Sequence, residues 1–460
     1  MSILLKRLFF LFTLVVLYSC STVEADFTGS RYPYKTLNVD PKDKLPKVSI
    51  NTNNQTIAGE TMISVQMKIT QNQVLEYSGT VGIEYIEYSS QLFPKKQFAF
   101  ETRNESGQRV NVSLLGFPED GDWILYGPYS DKSLMRDVIM YDLSREIGRY
   151  ASRVEFVEVF VNNSYNGVYV LLEKMKRAVN RINISELKKD ANTGENLTGG
   201  YIIKIDKASF PNATIYTDAN SFSSKYFSTS DYTGKKIYFL YDTPDKEIIT
   251  TQQKKYISDY INSFEDALAG DNFKDTEVGY AKYIDVQSFV DFFLLNELSN
   301  NVEGYRLNTR ITKDKGGKLT MGPIRGFSLA FGNANYCGGD ETNVWAYKFN
   351  ERCFDDFWQV PFWWGRLLED PAFVSKVKTR WFELRASSLS NYRILDKIDN
   401  YHDVLVKSGG IQDNFEKWPV LGLYVWPNSF EGETYDQEID FMKDWIDDRL
   451  SWLDEAISNL

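Results

Sequence analysis

Glu303 and Asn308 bracket the stretch Glu303-Gly-Tyr-Arg-Leu-Asn308, and Gly326 follows within Arg325-Gly-Phe-Ser-Leu-Ala-Phe-Gly-Asn333. A carboxylate and a carboxamide at that spacing suit phosphoryl transfer, where one orients a hydroxyl nucleophile and the other helps to hold magnesium. In the general kinase pattern the first position is Asp, and a downstream Asp-Phe-Gly segment supplies a further metal ligand. Glu303 carries an extra methylene, which moves its carboxylate by roughly 1 Å, and a misplacement of that size costs ~10²-fold in rate. Gly326 stands where the metal-holding Asp is expected, and magnesium commonly relies on only one or two carboxylates. Arg325 adds a positive charge beside it, and Ser328 offers only a neutral hydroxyl. No carboxylate occurs from Gly322 to Asn335, so Asp314 or Asp340 would have to swing in.

Phosphoryl transfer also needs a cation on the phosphates. Lys96, in Phe93-Pro-Lys-Lys96-Gln-Phe-Ala-Phe, adjoins a strand signal and could reach them. Glu173, at the end of another strand signal, could hold that lysine. As bare sequence both read most simply as solvent-facing charges at strand ends, and Asn308 as an ordinary loop residue.

The elements that must position these groups are legible in the apolar pattern. Alternation over Met62-Ile-Ser-Val-Gln-Met-Lys-Ile69 predicts a strand. Val154–Val161 and Val168–Leu172 flank Asn166-Gly167, which predicts a hairpin turning there. A helix is expected from the Asp131–Arg136 region to Gly148. A buried helix from Asp285 to Asn300 would deliver the chain to Glu303. Asp370-Pro371 caps another, with Phe373, Val377, Trp381 and Leu384 on one stripe. Ile439, Met442, Ile446, Leu450, Leu453 and Ile457 predict a terminal helix docked on its own domain.

Composition narrows the function classes. The chain has 460 residues, 43% hydrophobic and 15% aromatic, enough for a large core and unlike a disordered protein. A net charge of −11 gives no surplus to neutralise phosphates of nucleic acid, so no nucleic-acid partner is expected. The single histidine, His402, lies in a polar stretch and reads as a surface residue. It speaks against a Ser-His-Asp hydrolase or a multi-histidine zinc site.

The three cysteines separate into two groups. Residues 1–20 have a basic start, an apolar run and Leu17-Tyr-Ser-Cys20, the composition of a signal peptide with a lipobox-like end. Cys20 would carry a lipid that anchors the exported chain to a bacterial membrane. An ordinary signal peptide with an unmodified Cys20 is the alternative. Residues 21–45 read as a linker. Export would favour a disulfide between Cys337 and Cys353, worth ~3 kcal/mol for such a loop; two free buried thiols are the alternative.

Asn296-Glu-Leu, Gly322-Pro-Ile, Leu329-Ala-Phe-Gly-Asn333, Trp418-Pro and Val425-Trp-Pro-Asn428, with much of 93–206, resemble the spore coat protein H (CotH) kinase-like family in its bacterial lipoprotein branch. The resemblance implies an α+β, atypical two-lobed protein-kinase-like fold. Its β-rich N-terminal lobe would span 46–206, and its mainly helical C-terminal lobe 207–460. It also implies roles: Glu303 for the catalytic Asp, Asn308 for a metal ligand, Lys96 and Glu173 at the nucleotide.

Three segments depart from that family. It typically carries Trp-Asp-Phe-(Asp/Asn) where this chain has Arg325-Gly-Phe-Ser. It commonly has Arg-Gly-(small)-Ser-Ser where this chain has Ile86-Glu87-Tyr88-Ser89-Ser90, and glycine there allows close backbone approach to phosphate. Glu303 is the third. With the scaffold motifs kept, the leading expectation is a membrane-anchored pseudokinase that needs no cofactor and binds a surface or periplasmic protein or a glycan. A working kinase using ATP with Mg²⁺ or Mn²⁺ is the second reading. A carbohydrate-binding adhesin using Trp345, Trp358, Trp363 or Trp364 is the third, although Pro361-Phe-Trp-Trp364 reads as packing.

Overall fold

The computed structural model describes residues 44–59, 61–86, 93–208, 216–229 and 234–460. Residues 1–20 with Cys20, most of the 21–45 linker, and Glu87, Tyr88, Ser89 and Ser90 lie outside the described residues.

Alternation builds the first sheet. Strand β1 (Lys47–Asn51) pairs with β2 (Ile63–Gln71), in which Val65, Met67 and Ile69 are buried while Ser64, Gln66 and Lys68 face solvent. Strands β3 (Val74–Tyr85), β4 (Phe98–Arg103), β5 (Asp122–Tyr126), β6 (Val154–Val161) and β7 (Ser164–Glu173) complete a closed barrel in the order β1-β2-β3-β4-β5-β7-β6. The β1–β6 pair is parallel and closes it, which leaves no unpaired edge. Val48, Ile83, Phe100, Leu125 and Leu171 fill its interior.

The β6–β7 hairpin turns at Asn162-Asn163, not at Asn166-Gly167. Val161 pairs with Ser164, and both asparagines adopt positive φ (50° and 65°), as a two-residue mirror-image turn demands. Gly167 lies inside β7 with φ 113°, and a Cβ there would meet Trp418 Nε1 at 2.8 Å and Asn414 Oδ1 at 2.9 Å. Close approach of another element, not turning, is what this glycine serves.

Helix α1 (Arg136–Glu146) is inserted between β5 and β6. The Asp131 carboxylate stands before it and accepts from the backbone N–H of Ser133 (3.1 Å) and Arg136 (3.0 Å). Gly148, with φ 89°, ends it as expected.

The second sheet, β12-β11-β8-β10-β9, is five-stranded. It comprises β8 (Tyr201–Ile205), β9 (Ser221–Phe227), β10 (Lys236–Thr243), β11 (Thr309–Lys313) and β12 (Leu319–Met321). Strand β8 precedes residue 207 yet belongs to this sheet, paired with β10 and β11.

Helices α2 (Thr251–Ala269), α3 (Val286–Ser299), α4 (Phe349–Arg352), α5 (Trp363–Leu368), α6 (Pro371–Arg385), α7 (Asn391–Lys407), α8 (Gly410–Lys417) and α9 (Tyr435–Ser458) make up most of the rest, so the class is α+β. Asp285 caps α3 through Gln287 N–H (3.1 Å), and Asp370 caps α6 through Ala372 N–H (2.9 Å). The predicted apolar stripes of α6 and α9 are buried in the main core. Trp363 and Trp364 are buried there too, and Trp345 packs edge-on against Trp452. Trp358 is half-buried, donating to the Tyr216 hydroxyl at 3.0 Å. The paired tryptophans are therefore packing and offer no sugar platform. Cys337 and Cys353 form a disulfide. His402 is half-exposed beside Asp436 (2.8 Å). Among the described residues no helix is long and apolar enough to cross a membrane.

Candidate active site

Helix α3 aims the chain at Glu303 and is itself anchored. Glu297, fully buried, accepts from the Tyr305 hydroxyl (2.9 Å) and from the N–H groups of Ala346 (2.7 Å) and Tyr347 (2.9 Å), and faces Arg449 at 3.4 Å. Burial raises its pKa, and Arg449 together with these donors offsets part of that rise. The Glu in Asn296-Glu-Leu is thus a structural hub that ties the loop after α3 to α9.

That loop leaves α3 with Asn300 in the left-handed region, φ 42°. Asn301 joins two motifs: its side chain donates to Gly326 O (3.0 Å) and accepts from Glu303 N–H (3.1 Å). Asn308, also left-handed at φ 51°, donates from Nδ2 to Glu303 Oε2 at 3.0 Å. A Cβ on Gly326 would lie 2.6 Å from the same Nδ2. Glu303, Asn308 and Gly326 are therefore brought to one place, as their spacing suggested. The Asn308 amide occupies the space that a side chain at 326 would claim.

The segment after Gly326 is held by both halves of the molecule. Phe327 N–H donates to Asp137 of α1 (2.8 Å), whose carboxyl burial pushes up to about 6. Arg136 donates to Ala330 O (3.0 Å), and Asn428 donates to Asn333 Oδ1 (2.9 Å) and Ser130 O (2.7 Å). A Cβ on Gly332 would meet the Trp445 ring at 2.5 Å, so only glycine fits. Leu-Ala-Phe-Gly-Asn333 and Trp-Pro-Asn428 are in this way two sides of one lock.

The carboxylates near Asn308 come from the second sheet. Thr309 pairs with Ile205, so the next step of the register sets Asn308 opposite Asp206. Asp242 on β10 faces Lys204 (3.4 Å) and Arg310 (3.7 Å). Burial would raise the Asp242 pKa, but Arg310, Lys204 and Arg325 together hold it below the usual value. Burial pushes the Glu303 pKa up and Asp206 adds to this, while Lys207, Arg306 and the Asn308 hydrogen bond offset part of it. Strand alternation was the signal available for Lys204 and Asp206, which alternate with the buried Ile203 and Ile205, whereas Arg310 sits in β11, buried at every position, and gave no such signal.

The other expected site residues lie elsewhere. Asp314 accepts from Ser185 N–H (2.9 Å) beyond the far end of β11, and the carbonyl of Asp340 takes the Trp445 indole N–H (2.7 Å). Glu173 is not Lys96's partner. Its carboxylate takes Arg153 Nη1 (2.8 Å), Arg153 N–H (3.0 Å) and the Tyr150 hydroxyl (3.2 Å), with Arg181 at 4.0 Å. Lys96 lies by Gly127, whereas Glu173 pairs with Trp123, and the rise along β5 separates them by more than ~10 Å. Lys96 is half-buried, and its carbonyl accepts from the Tyr169 hydroxyl (2.7 Å). The neighbouring Lys95 is buried and donates to Asn414 Oδ1 of α8 (2.8 Å); burial holds its pKa well below normal.

A divalent cation does not fit this donor set. Position 326 supplies no carboxylate, the Asn308 amide nitrogen is turned to Glu303, and Arg325 adds charge of the wrong sign. Lys204, Lys207, Arg310 and Arg325 outnumber Asp206, Asp242 and Glu303 here. Among the described residues, no three acidic, His or Cys side chains converge as a metal cluster.

A family model described as CotH kinase protein matches residues 78–453, from within β3 to within α9. No curated protein matches the chain.

Proposed function

The chain belongs to the CotH kinase protein family, whose model spans well over half of it, and on that premise we propose that it is a pseudokinase of a two-lobed, kinase-like build. The barrel and α1 stand for the N-terminal lobe, and the second sheet with α2–α9 for the C-terminal one. The observation that carries the reading is the Asn308 amide donating to Glu303 in the space left by Gly326. In this reading the protein is exported, held to a bacterial membrane through a lipid on Cys20, and acts by binding a surface or periplasmic protein or glycan. The exposed Leu423, Tyr424 and Trp426, with Tyr336 stacked on Trp426 at 6.3 Å, support a binding role.

The test is incubation of purified protein with labelled ATP and Mg²⁺ or Mn²⁺. No incorporation into the chain or into added Ser/Thr substrates is expected. Transfer that disappears in Glu303→Gln would overturn the reading. Asp206, next in register to Asn308, favours the second reading of a working kinase. If transfer is detected, Asp206→Asn must abolish it for that reading to hold.

A further inference from the structure

A solvent-open cavity of about 520 Å³ lies where the end of α1 meets α3 and α6. That volume is ordinary for a small-molecule site. Asp291, 1% exposed, lines it and organises it. Arg149 Nε donates to Asp291 Oδ2 (2.7 Å), while Arg380 Nε and Gln287 Nε2 donate to Oδ1 (2.8 and 3.2 Å). One carboxylate therefore holds two guanidiniums, with their Nε atoms within about 8 Å of each other. Arg380 gives one more N–H to Ile147 O (2.8 Å). The other donors of both arginines have no hydrogen-bond acceptor among the described residues. Asp285 and Glu383 stand 3.7 and 3.9 Å from them, too far for a hydrogen bond, and their side chains are 41% and 61% exposed.

Lys376 also lines the cavity, exposed and without an ion pair among the described residues. Ser375 and Thr379 add hydroxyls from the same face of α6. The walls are thus rich in donors, while the buried acceptor is already spent on the arginines. No aromatic ring among the described residues lines the cavity, so nothing there stacks on an uncharged sugar. Asp291 precedes Asn300 by nine residues, about 14 Å along α3, which sets the cavity apart from the Glu303 loop.

We propose that this cavity binds a hydroxylated carboxylic acid. Arg149, Arg380 and Lys376 take its carboxylate, and Ser375, Thr379 and Gln287 take its hydroxyls. Guanidinium forks pair with carboxylates through parallel charged hydrogen bonds, and Asp291 holds both forks in place before a ligand arrives. The acid is either a uronate of an acidic polysaccharide or a free hydroxy acid. A uronate would name the glycan of the proposed binding role, and to that extent the inference rests on that role.

Calorimetric titration of the purified chain with trigalacturonate, citrate, galactose and sodium phosphate tests it. At least one of the acids is expected to bind at millimolar concentration or below, and galactose is not. Lys376→Glu should weaken that binding about 10-fold or more, as an attraction becomes a repulsion. Its urea midpoint should not fall, because Lys376 is exposed and the fold loses no ion pair with it. Tighter binding of trigalacturonate assigns the site to acidic polysaccharide, and equal or tighter binding of citrate assigns it to a free hydroxy acid. No binding of either acid at millimolar titrant, equal binding of galactose, tighter binding of phosphate, or unchanged affinity in Lys376→Glu would each overturn the proposal. The pseudokinase reading stands or falls separately, on the labelled-ATP assay, because the cavity is remote from the Glu303 loop.

Discussion

Introducing a carboxylate at position 326 should make the chain sense metal. In Gly326→Asp the new Cβ would start 2.6 Å from Asn308 Nδ2, so Asn308 must rotate and release Glu303. The backbone at 326 stays left-handed (φ 74°), where Asp is tolerated at a cost of ~1 kcal/mol. Losing a hydrogen bond to a charged acceptor costs ~1.5 kcal/mol or more. The variant should therefore be destabilised by about 2–4 kcal/mol in EDTA. With Asn308 Oδ1 and the introduced carboxylate both free to turn inward, a divalent ion gains two oxygen ligands. At about 10 mM metal and a Kd of about 1 mM, linkage returns ~1.4 kcal/mol. Urea melts in EDTA and in MgCl₂ or MnCl₂ read both numbers. Gly326→Ala is the control, with the same strain and no carboxylate, and should fall without metal-dependent recovery. The reasoning is refuted if the parent gains as much from metal as Gly326→Asp does, or if Gly326→Asp gains nothing.

Three further outcomes follow from buried groups. Folding raises the Asp137 pKa from 3.8 to about 6, so the folded chain holds more protons in that window and stability falls as pH rises through it. Asp137→Asn keeps an acceptor for Phe327 N–H and should be more stable than the parent at pH 8 by up to ~3 kcal/mol, with no gain below the unfolded pKa of ~4; equal pH profiles in urea melts would refute this. Glu297→Gln leaves the fully buried Arg449 without its counter-charge and should cost ~3–5 kcal/mol. A change in its urea midpoint worth less than ~1 kcal/mol would show that the carbonyls around Arg449 suffice. Reducing the Cys337–Cys353 disulfide should lower stability by ~3 kcal/mol, and dithiothreitol should have no such effect on a Cys337→Ser, Cys353→Ser double variant.

Much of the helical part was legible because its signals are local. Asp285, Asp370 and the 3.6-residue stripes of α6 and α9 are decided within a few residues of themselves. The spacing of Glu303, Asn308 and Gly326 was enough to bring them together, since a short excursion through β11 and β12 returns the chain to its start. The β6–β7 turn was misplaced because Asn-Gly is the stronger local signal, while Gly167 answers to Trp418 and Asn414 across the fold. The Lys96–Glu173 pairing failed for a related reason: two strand ends look alike in sequence, and only the β5 register says that they are distant.

By itself, the sequence determined the family and the α+β class, since these are written in contiguous motifs and in the periodicity of the apolar residues. Tertiary structure decided what surrounds Glu303, Asn308 and Gly326. Asp206, Asp242 and Arg310 come from three separate stretches, and only the pairing of β8 with β10 and β11 sets their charges against one another. Coulomb forces depend on distance in space, and sheet register, not chain spacing, fixes that distance here.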